Sequence, residues 1–242
     1  MNTQDTNKPN NEINVANAAC IVAQNDLLVF DGEDILQALN ILEAHLDAKY
    51  KNHDEWVNSH KDLVSSSADA ESFAVDGYYC YGASLPDVLR ASVFVYAYGR
   101  LEYSLHTLCK LLQAVNGVRC GPEDLKDRGF VRSRKYLEKV VGVTWTKAER
   151  DVLKDIAVYG SLRNAIIHRN SILMPDEIKD MQAFFKDNGI ELQDDRVLRL
   201  NAGSVFAAVQ HMQKTWDLVY QRCADLADRD SAGSAARSIN PP

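Results

Sequence analysis

Within SLRNAIIHRN, residues 161–170, Arg163, Asn164 and His168 bring together three side chains suited to one chemistry. Histidine moves a proton near neutrality without special tuning. Arginine offers a planar fork of donors that matches phosphate oxygens and keeps its charge. An asparagine amide can orient a ring nitrogen or a ligand hydroxyl. On a helix at about 100° per residue, Ser161, Asn164 and His168 fall within about 60° of one another. The long side chain of Arg163 swings toward the same edge, over Ile167. Leu162, Ala165, Ile166 and Arg169 take the other side, so the apolar insert seats the helix and leaves a polar edge projecting. Such an edge can grip a phosphodiester, take the proton of a ribose 2′-hydroxyl and offset the added charge on a five-coordinate phosphorus. This chemistry calls for no metal and no other cofactor, because RNA itself holds the nucleophile beside the phosphorus. Spacing alone does not separate it from a structural histidine satisfied near a helix C-terminus.

The motif falls in the last three turns of a helix that opens at Thr146, with Glu149 three residues on in the pattern of a capping box. The elements around it read as helices too. Ile35, Leu39, Leu42 and Leu46 recur at helical spacing from Glu33 through about Val64. SSSADAESF then reads as a break with a serine cap, and VDGYYCYGASLP as a loop punctuated by Gly77, Gly82 and Pro86. The strongest stripe, Leu89, Val93, Ala97, Leu101, Leu105, Leu108, Leu112 and Val115, predicts a helix from Pro86 to about Val115. A more polar stripe on it carries Tyr98, Glu102 and His106, either as a solvent- or partner-facing edge or with Glu102 and His106 facing a pocket. FVRSRKYLEKVVG predicts a short helix stopped by Gly142, and MPDEIKDMQAFFKDNG one that starts at Pro175. IELQDDRVLRL reads as two short strands around Asp194-Asp195. Val205, Val209, Met212, Trp216 and Tyr220 mark a last helix from Ala202 to about Asp228. The fold class expected is all-α, a helical bundle with a small β-hairpin before the last helix.

Composition bounds the rest. The 242 residues suffice for a sizeable core. No apolar run approaches the roughly 20 residues that span a bilayer, and the polar start, MNTQDTNKPNNEIN, lacks the order of a secretory signal, so a cytoplasmic protein off the membrane is expected. Five scattered cysteines with no C-x-x-C pair suggest neither a disulfide framework nor a zinc site, and Cys109 fits a core position. Residues 1–12 and 229–242 have the composition of disordered tails, with 13–85 an N-terminal helical extension between the first of them and the main domain. CIVAQNDLLVF is consistent with a hairpin around Asn25-Asp26 or with the start of a helix. The net charge of −7 argues against coating nucleic acid by bulk electrostatics. Against that background KDRGFVRSRKYLEK, residues 126–139, holds six Lys/Arg to two acids. Arg132, Arg134 and Lys135 are its candidate phosphate contacts, beside the alternative of a solvated helix face with ordinary ion pairs. His45, His53, His60 and His211 show no metal-ligand spacing and read as exposed or structural. Ser161 lies on the stripe of His168, but no strand–Gly-x-Ser-x-Gly–helix context supports a serine hydrolase.

The Arg163, Asn164 and His168 spacing near the end of a helix in an all-α chain resembles the HEPN superfamily, whose signature is Arg, a polar residue that is often Asn, a few residues, then His. The resemblance extends in outline over residues 86–228, though only the motif is specific. It implies a helical bundle that dimerises to join two motif helices in one composite cleft. It also implies metal-independent endoribonuclease activity of the kind found in toxin–antitoxin and phage-defence systems, with RNA as substrate and an antitoxin or regulatory protein as partner. By the same resemblance His168 is the acid/base, Arg163 the phosphate clamp and Asn164 the orienting residue. Products would carry 2′,3′-cyclic phosphate and 5′-hydroxyl ends. Relatives paired with a nucleotidyltransferase antitoxin often carry Tyr two residues after the histidine; this chain has Asn170 there. Arg169 is an addition that suits either a phosphate contact or the helix C-terminus. The competing expectation is a non-catalytic HEPN-like module that binds nucleotide, RNA or a protein.

Overall fold

The computed structural model describes residues 29–239, so the expected tail at 1–12 and nearly all of CIVAQNDLLVF lie outside the described residues. The chain is predominantly helical. In order it forms α1 (Gly32–Ser59), α2 (Lys61–Ser66), α3 (Ala68–Tyr79), α4 (Leu85–Asn116), α5 (Gly129–Tyr136), α6 (Lys147–Arg169), α7 (Pro175–Asp187), the strands β1 (Glu191–Gln193) and β2 (Val197–Arg199), and α8 (Ala202–Ile239). The two strands pair antiparallel with Leu192 opposite Leu198. Asp194 and Asp195 turn the chain with φ of 50° and 59°, left-handed geometry that Asp tolerates. The all-α expectation with one small hairpin before the last helix is what the protein shows. Among the described residues no helix is long and apolar enough to cross a membrane.

Local chemistry explains several helix ends. Asp31 opens α1 by accepting from the amides of Glu33 (3.0 Å) and Asp34 (3.1 Å). Ser67 caps α3 through the amide of Ala70, at 3.4 Å. At the start of α6 the Thr146 amide donates to Glu149 Oε2 (2.7 Å) and the Glu149 amide to Thr146 Oγ1 (3.3 Å), a reciprocal capping box. Gly142, with φ of 88°, stops the wide turn Leu137–Val141 that follows α5.

Two expectations need correction. The stretch VDGYYCYGASLP is not a loop: α3 runs through Gly77 to Tyr79, and a wide π-type turn, Cys80–Ser84, leads directly into α4. Its glycines serve close packing against α1. A Cβ on Gly77 would stand 2.1 Å from His53 Cε1, and one on Gly82 would stand 3.0 Å from Tyr50. His53, 6% exposed, donates from Nε2 to the Ala74 carbonyl at 2.9 Å and packs edge-on to Phe73 and Tyr78. It is the structural histidine its spacing suggested. The last helix also continues past Asp228 to Ile239, so the expected tail at 229–242 is helical as far as it is described.

The chain packs as two units. Among the described residues, one unit takes 29–30, Leu101–Asp151 and 215–239; the other takes Asp31–Arg100 and Val152–Lys214. In the first, Leu101, Leu105, Leu108, Cys109 and Leu112 of α4 are buried, as are Phe130, Tyr136, Trp216 and Cys223. Burial pushes the Cys223 thiol up to about 12 and Cys109 higher still, which suits inert core residues. In the second unit the buried set includes Leu39 and Leu46 of α1, Phe94 and Ala97 of α4, and Leu153, Ile156, Tyr159, Leu162 and Ala165 of α6.

Candidate active site

The buried face of α6 fixes its other edge. Leu162 and Ala165 are fully buried, and Tyr159, 1% exposed, is held by an edge-on contact with Phe94 and by donating to Asn188 Oδ1 at 3.1 Å. Gly160 lets α6 approach α4 closely, since a Cβ there would stand 2.4 Å from the Tyr98 hydroxyl. With that face seated, Asn164, Ile167 and His168 are exposed and Arg163 is half-buried.

Arg163 and Asn164 are engaged with each other: Arg163 Nη1 donates to Asn164 Oδ1 at 3.0 Å. The Arg163 Nε is buried with no hydrogen-bond partner among the described residues, so the guanidinium is held by packing at its root and by Asn164 at its tip. No carboxylate among the described residues pairs with Arg163 or with His168. His168 stands one helical turn beyond Asn164, about 6 Å along the axis. Asn170 ends the helix with φ of 50°, a conformation Asn tolerates better than most residues, and Ser171 follows at 64°. The Ser171 amide reaches back to the Ala165 carbonyl at 3.0 Å and closes the helix end.

The remaining candidates are otherwise occupied. Arg169 forms a two-pronged ion pair with Glu177 of α7, at 2.7 and 2.9 Å, and that pairing holds the Glu177 carboxyl below its usual range. The Glu102 carboxylate is engaged with a neighbouring element. Its Oε1 accepts from the Phe130 amide at 3.1 Å, at the N-terminus of α5, and Gly129 is bare because a Cβ would stand 2.0 Å from that oxygen. His106 lies 3.3 Å from Glu123, which also takes Lys110 at 2.7 Å. Tyr98, read as part of a polar edge, is 3% exposed.

In the basic segment, Lys135 binds Asp127 at 2.8 Å, Arg134 lies 3.4 Å from Glu138, and Arg132 donates to the Asp127 carbonyl. Two of the three residues singled out, Arg134 and Lys135, are therefore paired locally with carboxylates, and Arg132 is oriented by a carbonyl. Lys126, Arg128 and Lys139 are exposed with no ion pair among the described residues, and they are the cations of this segment that face solvent. The Arg134–Glu138 spacing was legible as an i,i+4 pair, whereas Asp127 reaches Lys135 from the turn before α5. The segment belongs to the first unit and the 163–168 motif to the second. Among the described residues no three His, Cys, Asp or Glu side chains gather as a metal-holding group. No family model, curated protein or solved structure matches the chain.

Proposed function

We propose that the protein is a metal-independent endoribonuclease of HEPN type, acting in the cytoplasm within a toxin–antitoxin or phage-defence system. One observation carries the reading. Arg163 and His168 project from one helix with no carboxylate among the described residues to neutralise them, and the exposed Asn164 accepts from the guanidinium. Arg90, Arg169, Arg199 and Arg222, by contrast, are each matched by an acid. An unmatched, oriented guanidinium one turn from an exposed imidazole suits an anionic ligand that brings its own charge.

In this reading Arg163 grips the non-bridging oxygens of the scissile phosphodiester, and Asn164 fixes the direction of the fork. The His168 imidazole takes the proton of the ribose 2′-hydroxyl. The 2′-oxygen then forms its bond to phosphorus as the bond to the 5′-oxygen breaks. The departing oxygen takes a proton from the imidazolium of a second copy, which is why a homodimer with a composite cleft belongs to the proposal. The ends left are a 2′,3′-cyclic phosphate and a 5′-hydroxyl. An antitoxin or regulatory protein would keep such an activity in check.

End-labelled RNA incubated with the purified protein in excess chelator, beside the His168→Ala variant, tests this. Cleavage by the native protein alone, with cyclic phosphate ends, is the expected result. Cleavage that needs a divalent ion, or that persists in the variant, refutes the mechanism. RNA binding without cleavage would instead favour a non-catalytic module.

A further inference from the structure

A groove of about 420 Å³ opens between α1 and the first half of α4. Ile35, Ala38 and Leu42 line it from α1, and Leu89, Val93 and Tyr96 from α4. The spacings, i, i+3, i+7 on one wall and i, i+4, i+7 on the other, are those with which two helices seat a third. The stripe on α4 that is buried from Ala97 onward thus continues, half-buried among the described residues, as one wall of this groove. Tyr96 is 60% exposed, and Ile41 on α1 and Val88 on α4 are 63% and 60% exposed.

Charge decides what fits. Residues 31–84 hold eleven Asp/Glu against only Lys49, Lys51 and Lys61, a larger acidic excess than the net −7 of the whole chain. Asp34 lies on the groove wall, and it and Glu33 are exposed with no ion pair among the described residues. Asp34 is the charged residue of the groove's lining, so an RNA phosphate finds no cation there. A second copy would set the same acidic stretch against itself. The chain's own residues 9–28 contain no Lys or Arg to answer it. We propose that this groove docks an amphipathic helix of a partner protein, its apolar stripe seated between α1 and α4 and its flanks basic. The proposal is independent of RNA cleavage and names a surface through which such a partner would reach this protein.

The test uses the full-length protein and a fluorescein-labelled synthetic 18-residue helix with Leu at i, i+3, i+4, i+7 spacing and Lys on both flanks. Two comparison peptides carry Glu for each Lys, or the chain's own residues 9–28. Fluorescence anisotropy should show binding of the Lys peptide, weakened tenfold or more by Ala38→Trp, which fills the groove from an exposed position without touching the buried core or the charge. Glu33→Lys with Asp34→Lys should reverse the preference between the Lys and Glu peptides. Absent binding, equal affinity for the Lys and Glu peptides, indifference to Ala38→Trp, tighter binding of the 9–28 peptide, or self-association lost in Ala38→Trp would each overturn the proposal.

Discussion

Two substitutions at Asn164 separate the orientation of Arg163 from its charge. Asn164→Ala removes the acceptor 3.0 Å from Arg163 Nη1 and leaves the guanidinium charged but free to swing. One net hydrogen bond amounts to about 0.5–1.5 kcal/mol, so kcat/KM for RNA cleavage should fall about two- to tenfold. Asn164→Asp keeps the acceptor and adds a charge. At about 4 Å, two unit charges attract by about 1 kcal/mol in water and about 4 kcal/mol at an effective dielectric of 20. Asn164 is exposed, so the lower figure applies. The new carboxylate also repels the incoming phosphate by a similar amount. Together these come to about 2 kcal/mol, a loss of about thirtyfold. Both variants should unfold within about 0.5 kcal/mol of the native protein, because the position is exposed. Cleavage of a fluorophore–quencher RNA in chelator, with thermal melts alongside, reads all of this. Raising the salt should bring the Asp variant toward the Ala variant as the charges are screened. An Asp variant as active as the native protein, or more active than the Ala variant, would refute Arg163 as the phosphate clamp.

Other sites give independent checks. Glu102→Ala strips the acceptor from the Phe130 amide and should cost about 1 kcal/mol in chemical denaturation while leaving cleavage per folded molecule unchanged; lost cleavage at full stability would return Glu102 to the chemistry. Gly77→Ala should destabilise by about 1–3 kcal/mol, since its methyl meets the ring of buried His53, whereas Gly99→Ala, with nothing within 4 Å of its Cβ, should stabilise by up to about 1 kcal/mol. Thermal melts that moved both variants in the same direction would contradict the packing described. Burial depresses the His211 pKa, with Asp155 opposing the shift and Lys214 adding to it. The unfolded chain therefore binds this proton first as pH falls below about 6.5, so stability drops with decreasing pH in that window. His211→Gln should flatten the drop in denaturation curves taken between pH 7 and pH 5, and an unchanged slope would show that His211 does not carry it.

Periodicity and capping chemistry made most of the helices readable. The stripe from Ala97 to Leu112, the Thr146–Glu149 box and the strands around Asp194-Asp195 all stand where local rules place them. Gly77 and Gly82 misled because the same lack of a side chain that permits a turn also permits two helices to touch, and only the partner ring, here His53 or Tyr50, tells the two apart. The polar stripe on α4 misled for a related reason. Tyr98 and Glu102 look like solvent-facing residues until Gly160 and the open amides of α5 are set opposite them, and both of those come from distant points in the chain. At the motif, the spacing showed which edge of α6 would be exposed. It did not show that Asn164 would accept from Arg163, because that contact depends on how the guanidinium is packed.

The distribution of charge bears on how an acidic protein could hold RNA at all. A local excess in sequence produces a field only if it is not cancelled nearby, and in residues 126–139 Lys135 and Arg134 are offset by Asp127 and Glu138, while Arg132 is held by a neutral carbonyl and keeps its charge. Arg169 meets the same fate at Glu177. Within the motif and the basic segment, the cations without a carboxylate partner among the described residues are Arg163 and His168 on α6, and Lys126, Arg128, Arg132 and Lys139. Single-stranded RNA binding weakens with salt at a slope of about −0.7 per neutralised phosphate. A site built on Arg163 and a protonated His168 alone therefore has a shallow dependence, near −1.4 at most per copy by that relation. Each further cation that truly meets a phosphate steepens it by a fixed step. The salt slope of RNA binding by His168→Ala, read against Arg163→Gln and Arg128→Gln, thus counts the contacts directly. Under the proposed function, it decides between a few aimed charges and an extended surface as the way RNA is held.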